Sequence, residues 1–188
     1  MLGEVEVYVA AAGPGSFTGL RVGLTTVKAL AEIYGRRIAA VSRLEAIASE
    51  GSGGDWIAAL VNGSRGEVYS GLYHRIGGRM LLQGEESVSP LAEFVEAVRR
   101  AVPGEGVCWT TPDKELVLGP PWWADREQTG DRVEVVTAVL APRIGQIGYL
   151  QAQAGKLVDA LALDANYIRR SDAERSWKDT TGAAGHAR

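Results

Sequence analysis

The stretch Gly13-Pro14-Gly15-Ser16-Phe17-Thr18-Gly19-Leu20-Arg21-Val22-Gly23 limits what this chain can fold into more than any other. It stands between an apolar run, Val5 to Ala12, and a segment of helical period, Leu20 to Tyr34. The local order is therefore strand, glycine-rich turn, helix start. Glycines ahead of a helix allow positive φ and close approach by another group. The first-turn amides of the helix point into the turn, where a phosphate or carboxylate would be stabilised. A tight turn packed against a neighbouring helix, with no ligand, satisfies the same residues.

The spacing excludes three familiar uses of such a turn. Gly13-x-Gly15-x-x-x-Gly19 has one residue too many before its third glycine for a dinucleotide fingerprint. A P-loop needs lysine and then serine or threonine after the last glycine, where Leu20-Arg21 stand. A serine-hydrolase elbow needs glycines two before and two after Ser16, and those positions hold Pro14 and Thr18. Ser16 reads as a helix cap.

The two flanks say more. Val5 to Ala12 is apolar on both faces, as in an interior strand with helices on either side. In the helix, Leu20, Leu24, Val27, Ala31 and Tyr34 form one stripe, and Val22, Ala29 and Ile33 a second. Arg21, Thr25, Lys28 and Glu32 are left as the polar face. One apolar side should meet its own sheet, and the other requires a second layer or another subunit. Gly23 would let that neighbour come close.

Gly35 is placed to end the helix left-handed, with Arg36-Arg37 beyond it. Arg37 to Val41 reads as a strand, and Ser42-Arg43-Leu44-Glu45 as a capping box opening a helix to about Ser49. Gly51-Ser52-Gly53-Gly54 is the best internal boundary. Strands follow over Asp55 to Val61, Arg65 to Tyr73 and Arg79 to Val88, the last two joined by a Gly77-Gly78 hairpin turn. Ser89-Pro90 opens a helix with Leu91, Phe94, Val95 and Val98 on its core stripe. Strands are expected near Cys108, near Leu116 and over Val133 to Val136, with a rigid Gly119-Pro120-Pro121-Trp122-Trp123 loop between the last two. A final helix runs from Pro142 to Gly155. Mixed strands and helices of this kind give an α/β class.

Of 188 residues, 46% are hydrophobic and 23% charged, enough for a real core. A net charge of −3 argues against gripping nucleic acid by bulk electrostatics. The one cysteine, Cys108, rules out an intramolecular disulfide and fits a reducing compartment. With no spanning apolar run, the expected location is the cytoplasm. Two histidines, His74 and His186, and no Cys-x-x-Cys leave little for a nitrogen- and sulfur-ligated metal. Glu4, Glu6, Glu85-Glu86 and Asp172-Glu174 read as solvated edges, and Glu67 as an outward strand residue. No catalytic constellation stands out.

The stretch Gly13 to Gly23, with Arg65-Gly66-Glu67-Val68-Tyr69 and Asn166-Tyr167-Ile168-Arg169-Arg170-Ser171-Asp172-Ala173-Glu174, resembles the motifs of the TsaB family, also called YeaZ. Their order and separation agree over nearly the whole chain. The resemblance implies an actin-like ATPase fold of two ribonuclease-H-like lobes. It implies a part in making threonylcarbamoyladenosine beside the anticodon of tRNAs reading codons that begin with A. The role would be that of a non-catalytic scaffold and activator, pairing with the metal-bearing paralogue TsaD and working with the ATPase TsaE. TsaD carries a His-x-x-x-His metal site, and this sequence has none.

On that resemblance residues 1–50 form a partial first lobe, 55–155 a second lobe, 156–177 a connector and 178–188 a disordered tail. The interface would comprise Gly13, Pro14, Gly15, Ser16, Phe17, Thr18, Gly19, Arg21 and Gly23, with Leu20, Val22, Leu24, Val27, Ala29 and Ile33 of the helix. No cofactor is expected to be held independently; ATP or ADP would be shared across the partner interface, and tRNA met only through the complex. The family's opening Asp-Thr-Ser/Thr strand, hairpin and helix have no counterpart here, so the first sheet should show an unpaired edge. Asn62-Gly63-Ser64-Arg65 replaces the family's Asp-Ala-Arg. Two alternatives stay open: a homodimer with a structural role only, and a small-molecule kinase of the same fold. The kinase would need carboxylates beside the turn.

Overall fold

Two sheets carry the described residues, 4–118 and 130–168, of the computed structural model. The Gly119 to Trp123 loop, the motif residues 169–174 and the 178–188 tail lie outside them. The first sheet is β1 (Val7–Gly13) beside β2 (Arg37–Ser42), parallel, with Val7 opposite Arg37 and Ala11 opposite Val41. A parallel pair needs a crossover, supplied by helix α1 (Phe17–Tyr34). Helix α1 begins three residues before Leu20, because Ser16 Oγ caps it by accepting from the Gly19 amide at 3.3 Å. It stops at Gly35, whose φ of 60° is left-handed, and the Arg36 amide returns to the Ala31 carbonyl at 2.8 Å.

Strand β1 is covered on both faces. Tyr8 and Ala10 pack with Leu24 and Ala31 of α1, and with Ile38 and Leu163. Val9 points the other way, onto the last helix, α5 (Ala141–Gln153), so closely that a Cβ on Gly148 would collide with its side chain. Among the described strands β1 pairs with β2 alone.

Between the sheets lies α2 (Arg43–Glu50), whose cap Ser42 Oγ accepts from the amides of Leu44 (3.1 Å) and Glu45 (3.3 Å). The second sheet holds β3 (Trp56–Asn62), β4 (Glu67–Ile76), β5 (Arg79–Pro90), β6 (Val107–Thr111) and β7 (Arg132–Val135) in the order β5-β4-β3-β6-β7. Central β3 alternates between two cores. Ile57, Ala59 and Val61 meet Leu44, Ile47 and Ala48 of α2. Ala58 and Leu60 meet Phe94, Val95 and Val98 of α3 (Leu91–Ala101). Trp109 is fully buried on that second side, its Nε1 donating to Asp131 Oδ2 at 2.9 Å. A buried indole N–H needs such a partner.

Two boundaries differ from the sequence reading. Pro90 takes the cap position of α3 rather than its first turn. The strand expected near Leu116 is a one-turn helix, α4 (Glu115–Leu118), closed by the Leu116 amide on the Asp113 carbonyl at 2.9 Å. Three apolar residues, Leu116-Val117-Leu118, carry no period that tells strand from helix. Thr111 Oγ1, accepting from the Asp113 amide at 3.0 Å, turns the chain there.

Candidate functional site

Because β1 and β2 run parallel, their carboxyl ends, Gly13 and Ser42, lie side by side. In parallel sheets the crevice beyond those ends is where ligands sit. A cleft of about 630 Å³ opens there. One wall is the glycine turn, from Pro14 to Phe17 with Leu20 behind it, and Arg43 stands beside it at the start of α2. The β3–β4 turn, Asn62 to Arg65, and Tyr69 form the facing wall. Asn166, Tyr167 and Ile168 complete it. Described residues from each of the three stretches that resembled one family separately thus meet at one place.

Each wall is fixed locally. The Asn166 amide donates to the Ala12 carbonyl at 2.7 Å, stitching the late segment to the end of β1. Its own carbonyl then sits where a Cβ on Gly13 would be, 2.8 Å away, and Gly13 has φ of 125°. Only glycine satisfies both demands. In the facing turn Asn62 Oδ1 accepts from the Ser64 amide at 2.8 Å. Ser64 and Arg65 have φ of 63° and 57°, a left-handed pair costing about 1–3 kcal/mol each, of the kind that clusters at functional sites. At the rim, Phe17 and Tyr167 have ring centroids 5.4 Å apart. Arg21 lies over Phe17, 3.9 Å from its centroid, and its Nε donates to the Tyr167 hydroxyl at 3.3 Å.

Behind the cleft Glu86 is a hub, not the solvated edge its sequence context indicated. Its carboxylate accepts from the Ser42 hydroxyl, from the Tyr73 hydroxyl at 2.6 Å and from Asn166 Nδ2 at 2.8 Å. One carboxylate therefore ties β5, β4, the α2 cap and the late segment together. Burial, and then the Glu86 charge, push the Tyr73 hydroxyl far above its ordinary range, so it stays a donor. Glu45 is also pushed up, first by burial and then by Glu86, with Lys156 partly offsetting them.

Of the residues singled out from the sequence, Pro14, Gly15, Ser16, Phe17 and Leu20 line the cleft. Gly13 is buried beneath it, while Thr18, Gly19, Arg21 and Gly23 are exposed on α1. Leu24 is 6% exposed and serves the core of its own sheet. Val27 is half-buried, Ala29 exposed, and Val22 and Ile33 stand 63% and 73% exposed. A hypothetical Cβ on Gly23 meets nothing within 4 Å. The second apolar stripe of α1 therefore faces outward. Beside the edge of β1 that no described strand covers, it adjoins a groove of about 390 Å³ walled by Val9, Ala11, Gly19, Gly23 and Val27.

Arg43 and Glu86 were not singled out. Arg43 follows the second of two parallel strands directly, which is the signal that could have found it. Among the described residues no three His, Cys, Asp or Glu side chains gather as a metal site.

Comparison with known proteins gives the same direction. The family profile described as “TsaD: tRNA N6-adenosine threonylcarbamoyltransferase” matches residues 2–107. The chain is 30% identical over 179 residues to the tRNA threonylcarbamoyladenosine biosynthesis protein TsaB of Bacillus subtilis (strain 168), covering 93% of this chain and 74% of that one. It is 26% identical to the protein of the same name from Haemophilus influenzae, over 96% of this chain and 76% of that one. The solved structure of YeaZ from Pseudomonas aeruginosa superposes with a TM-score of 0.68 at 26% identity, covering 89% and 75% of the two chains. The two-sheet architecture is accordingly the actin-like, ribonuclease-H-like fold. With its signature turn, its fold and its relatives in agreement, this chain belongs to the TsaB (YeaZ) family.

Proposed function

We propose that this protein serves tRNA threonylcarbamoyladenosine biosynthesis as a non-catalytic scaffold and activator, pairing with a TsaD-type transferase through α1. Membership of a family whose curated relatives carry that pathway in their names supports the pathway. The observation that carries the pairing is the outward apolar stripe of α1, Val22 and Ile33 with Gly23 open between the turns. Exposed large apolar side chains grouped on one helix face mark a protein contact more often than scattered ones do. Small residues such as Gly23 and Ala29 let a partner helix approach closely. A TsaE-type ATPase and an adenine nucleotide shared across the interface belong to the same reading, with tRNA met through the complex. No helix among the described residues is long and apolar enough to cross a membrane, in keeping with work in the cytoplasm.

The test is co-purification with the TsaD paralogue of the same organism. Gly23→Leu together with Ala29→Trp should abolish the complex while the melting curve of the isolated chain holds. Unchanged complex formation would sink the reading. Light scattering adds a second outcome: self-association without a heterocomplex would make the chain a structural homodimer.

A further inference from the structure

We infer that the outer edge of β1 is a docking site for an extended segment of a partner protein, added to the first sheet as a further strand and held at the turn end by Arg43. The inference goes beyond the pairing through α1 and does not rest on it, since the edge lies beneath that helix and not on its outward stripe.

The other strand edges among the described residues are guarded. β5 carries Arg79, Glu85 and Glu86, and its register shifts around Gly84, where φ is 77°. β7 is four residues long and holds Arg132 and Glu134. On the far side of the first sheet, Val158 bridges β2 at Ile38, each amide donating to the other's carbonyl at 2.9 Å. β1 has no such device: Val7-Tyr8-Val9-Ala10-Ala11-Ala12-Gly13 contains neither charge nor proline. An unguarded edge is a template for another strand.

The surroundings of the edge select what fits. It opens into the groove of about 390 Å³, lined from α1 by Gly19, Gly23 and Val27. A Cβ on Gly23 meets nothing within 4 Å, which leaves room for alternate side chains of an added strand. On the opposite face Val9 rests on Gly148 of α5. A strand entering between two covered faces is apolar on both. Its one charged requirement lies at the turn end. Arg43 is the only ionised side chain lining the groove, half-buried, with its Nη1 3.5 Å from where a Gly15 side chain would start. An Asp or Glu at that end of the incoming segment would pair with it.

A second copy of this chain fits worse. Leu163 packs beside Ile38 on the α1 face of β2, and Leu24 and Ala31 seat α1 on Tyr8 and Ala10 of β1. Two copies joined edge to edge about a two-fold axis would place both α1 helices on one face, over strands about 4.8 Å apart. Packed helices need about 8–10 Å. A bare extended segment brings no helix with it.

Fluorescence anisotropy on the full purified chain tests this with two labelled peptides as long as the seven-residue β1, Lys-Val-Ala-Val-Ala-Val-Asp and the same residues in reverse order. One of the two should bind. Replacing its Asp by Asn, or Arg43→Gln in the protein, should weaken it at least about tenfold, with little further loss when the two are combined. Gly23→Leu, which fills the groove, should abolish binding, and hydrogen exchange along β1 should slow when the peptide is present. Val22→Asp with Ile33→Asp should leave the peptide bound, which separates this site from partner pairing through α1. Melting curves of the variants guard against a folding defect. Binding of neither peptide, binding retained by a folded Gly23→Leu, or unchanged exchange along β1 overturns the proposal. So does a concentration-dependent dimer that protects β1 without peptide, since a second copy would then be the occupant.

Discussion

Gly13 and Glu86 are single positions on which the cleft depends, and each makes a measurable claim. At Gly13 any side chain meets the Asn166 carbonyl and must adopt φ of 125°. Gly13→Ala should therefore destabilise the chain by about 2 kcal/mol or more, read as a lower urea midpoint with unchanged slope. Removing the Glu86 carboxylate leaves the Tyr73 hydroxyl buried without its acceptor, and Glu86→Ala should cost about 1–3 kcal/mol in the same assay. Glu45 gives a pH signature. It holds its proton to higher pH in the folded chain than in the unfolded one, so the folded state binds more protons above the ordinary value of 4.5. Stability from this group therefore falls as pH rises from 4.5 through the raised value. Glu45→Gln should gain on the parent protein at neutral pH, with the gain closing below about pH 4.5, in melts taken across that range.

At the scale of elements, α1 and α5 divide the work around β1. Val22→Asp with Ile33→Asp alters only the outward stripe of α1, so stability should move by less than about 0.5 kcal/mol each while pairing is lost. Gly148→Val acts in the opposite sense, forcing α5 off Val9 at a cost of about 1–3 kcal/mol by chemical denaturation, without touching the outward stripe. Most of these elements were legible in the sequence, because their apolar periods are long. The 18-residue α1 shows both stripes, and β3 reads as an apolar strand over Asp55 to Val61. α4 was not legible, since three apolar residues settle no period. The role of Glu86 was hidden for a different reason. Its neighbours Glu85 and Ser87 look like an exposed edge, and the three donors that claim it stand at 42, 73 and 166, which no local pattern brings together.

For the whole molecule, the two sheets are joined by α2, by Glu86 and by the late segment, and the cleft is what they enclose between them. The turn itself could be read from sequence, and its neighbours across the cleft could not, because spacing along the chain says nothing about which distant turn will face it. Only the family resemblance linked the three stretches beforehand.

The amide bond from Asn166 to Ala12, with Tyr167 beside Arg21 at a separation of 146 residues, has a bearing on timing. Contacts between such distant parts of a chain form late, after the entropy of closing the intervening loop has been met. During synthesis the glycine turn emerges well before the late segment, and waits for everything from α1 to α5 before its cleft has a second side. A ribosome-bound nascent chain lacking residues 166–168 would therefore present the β1–α1–β2 unit with its signature turn open, and the cleft would gain its second side only once that segment had emerged.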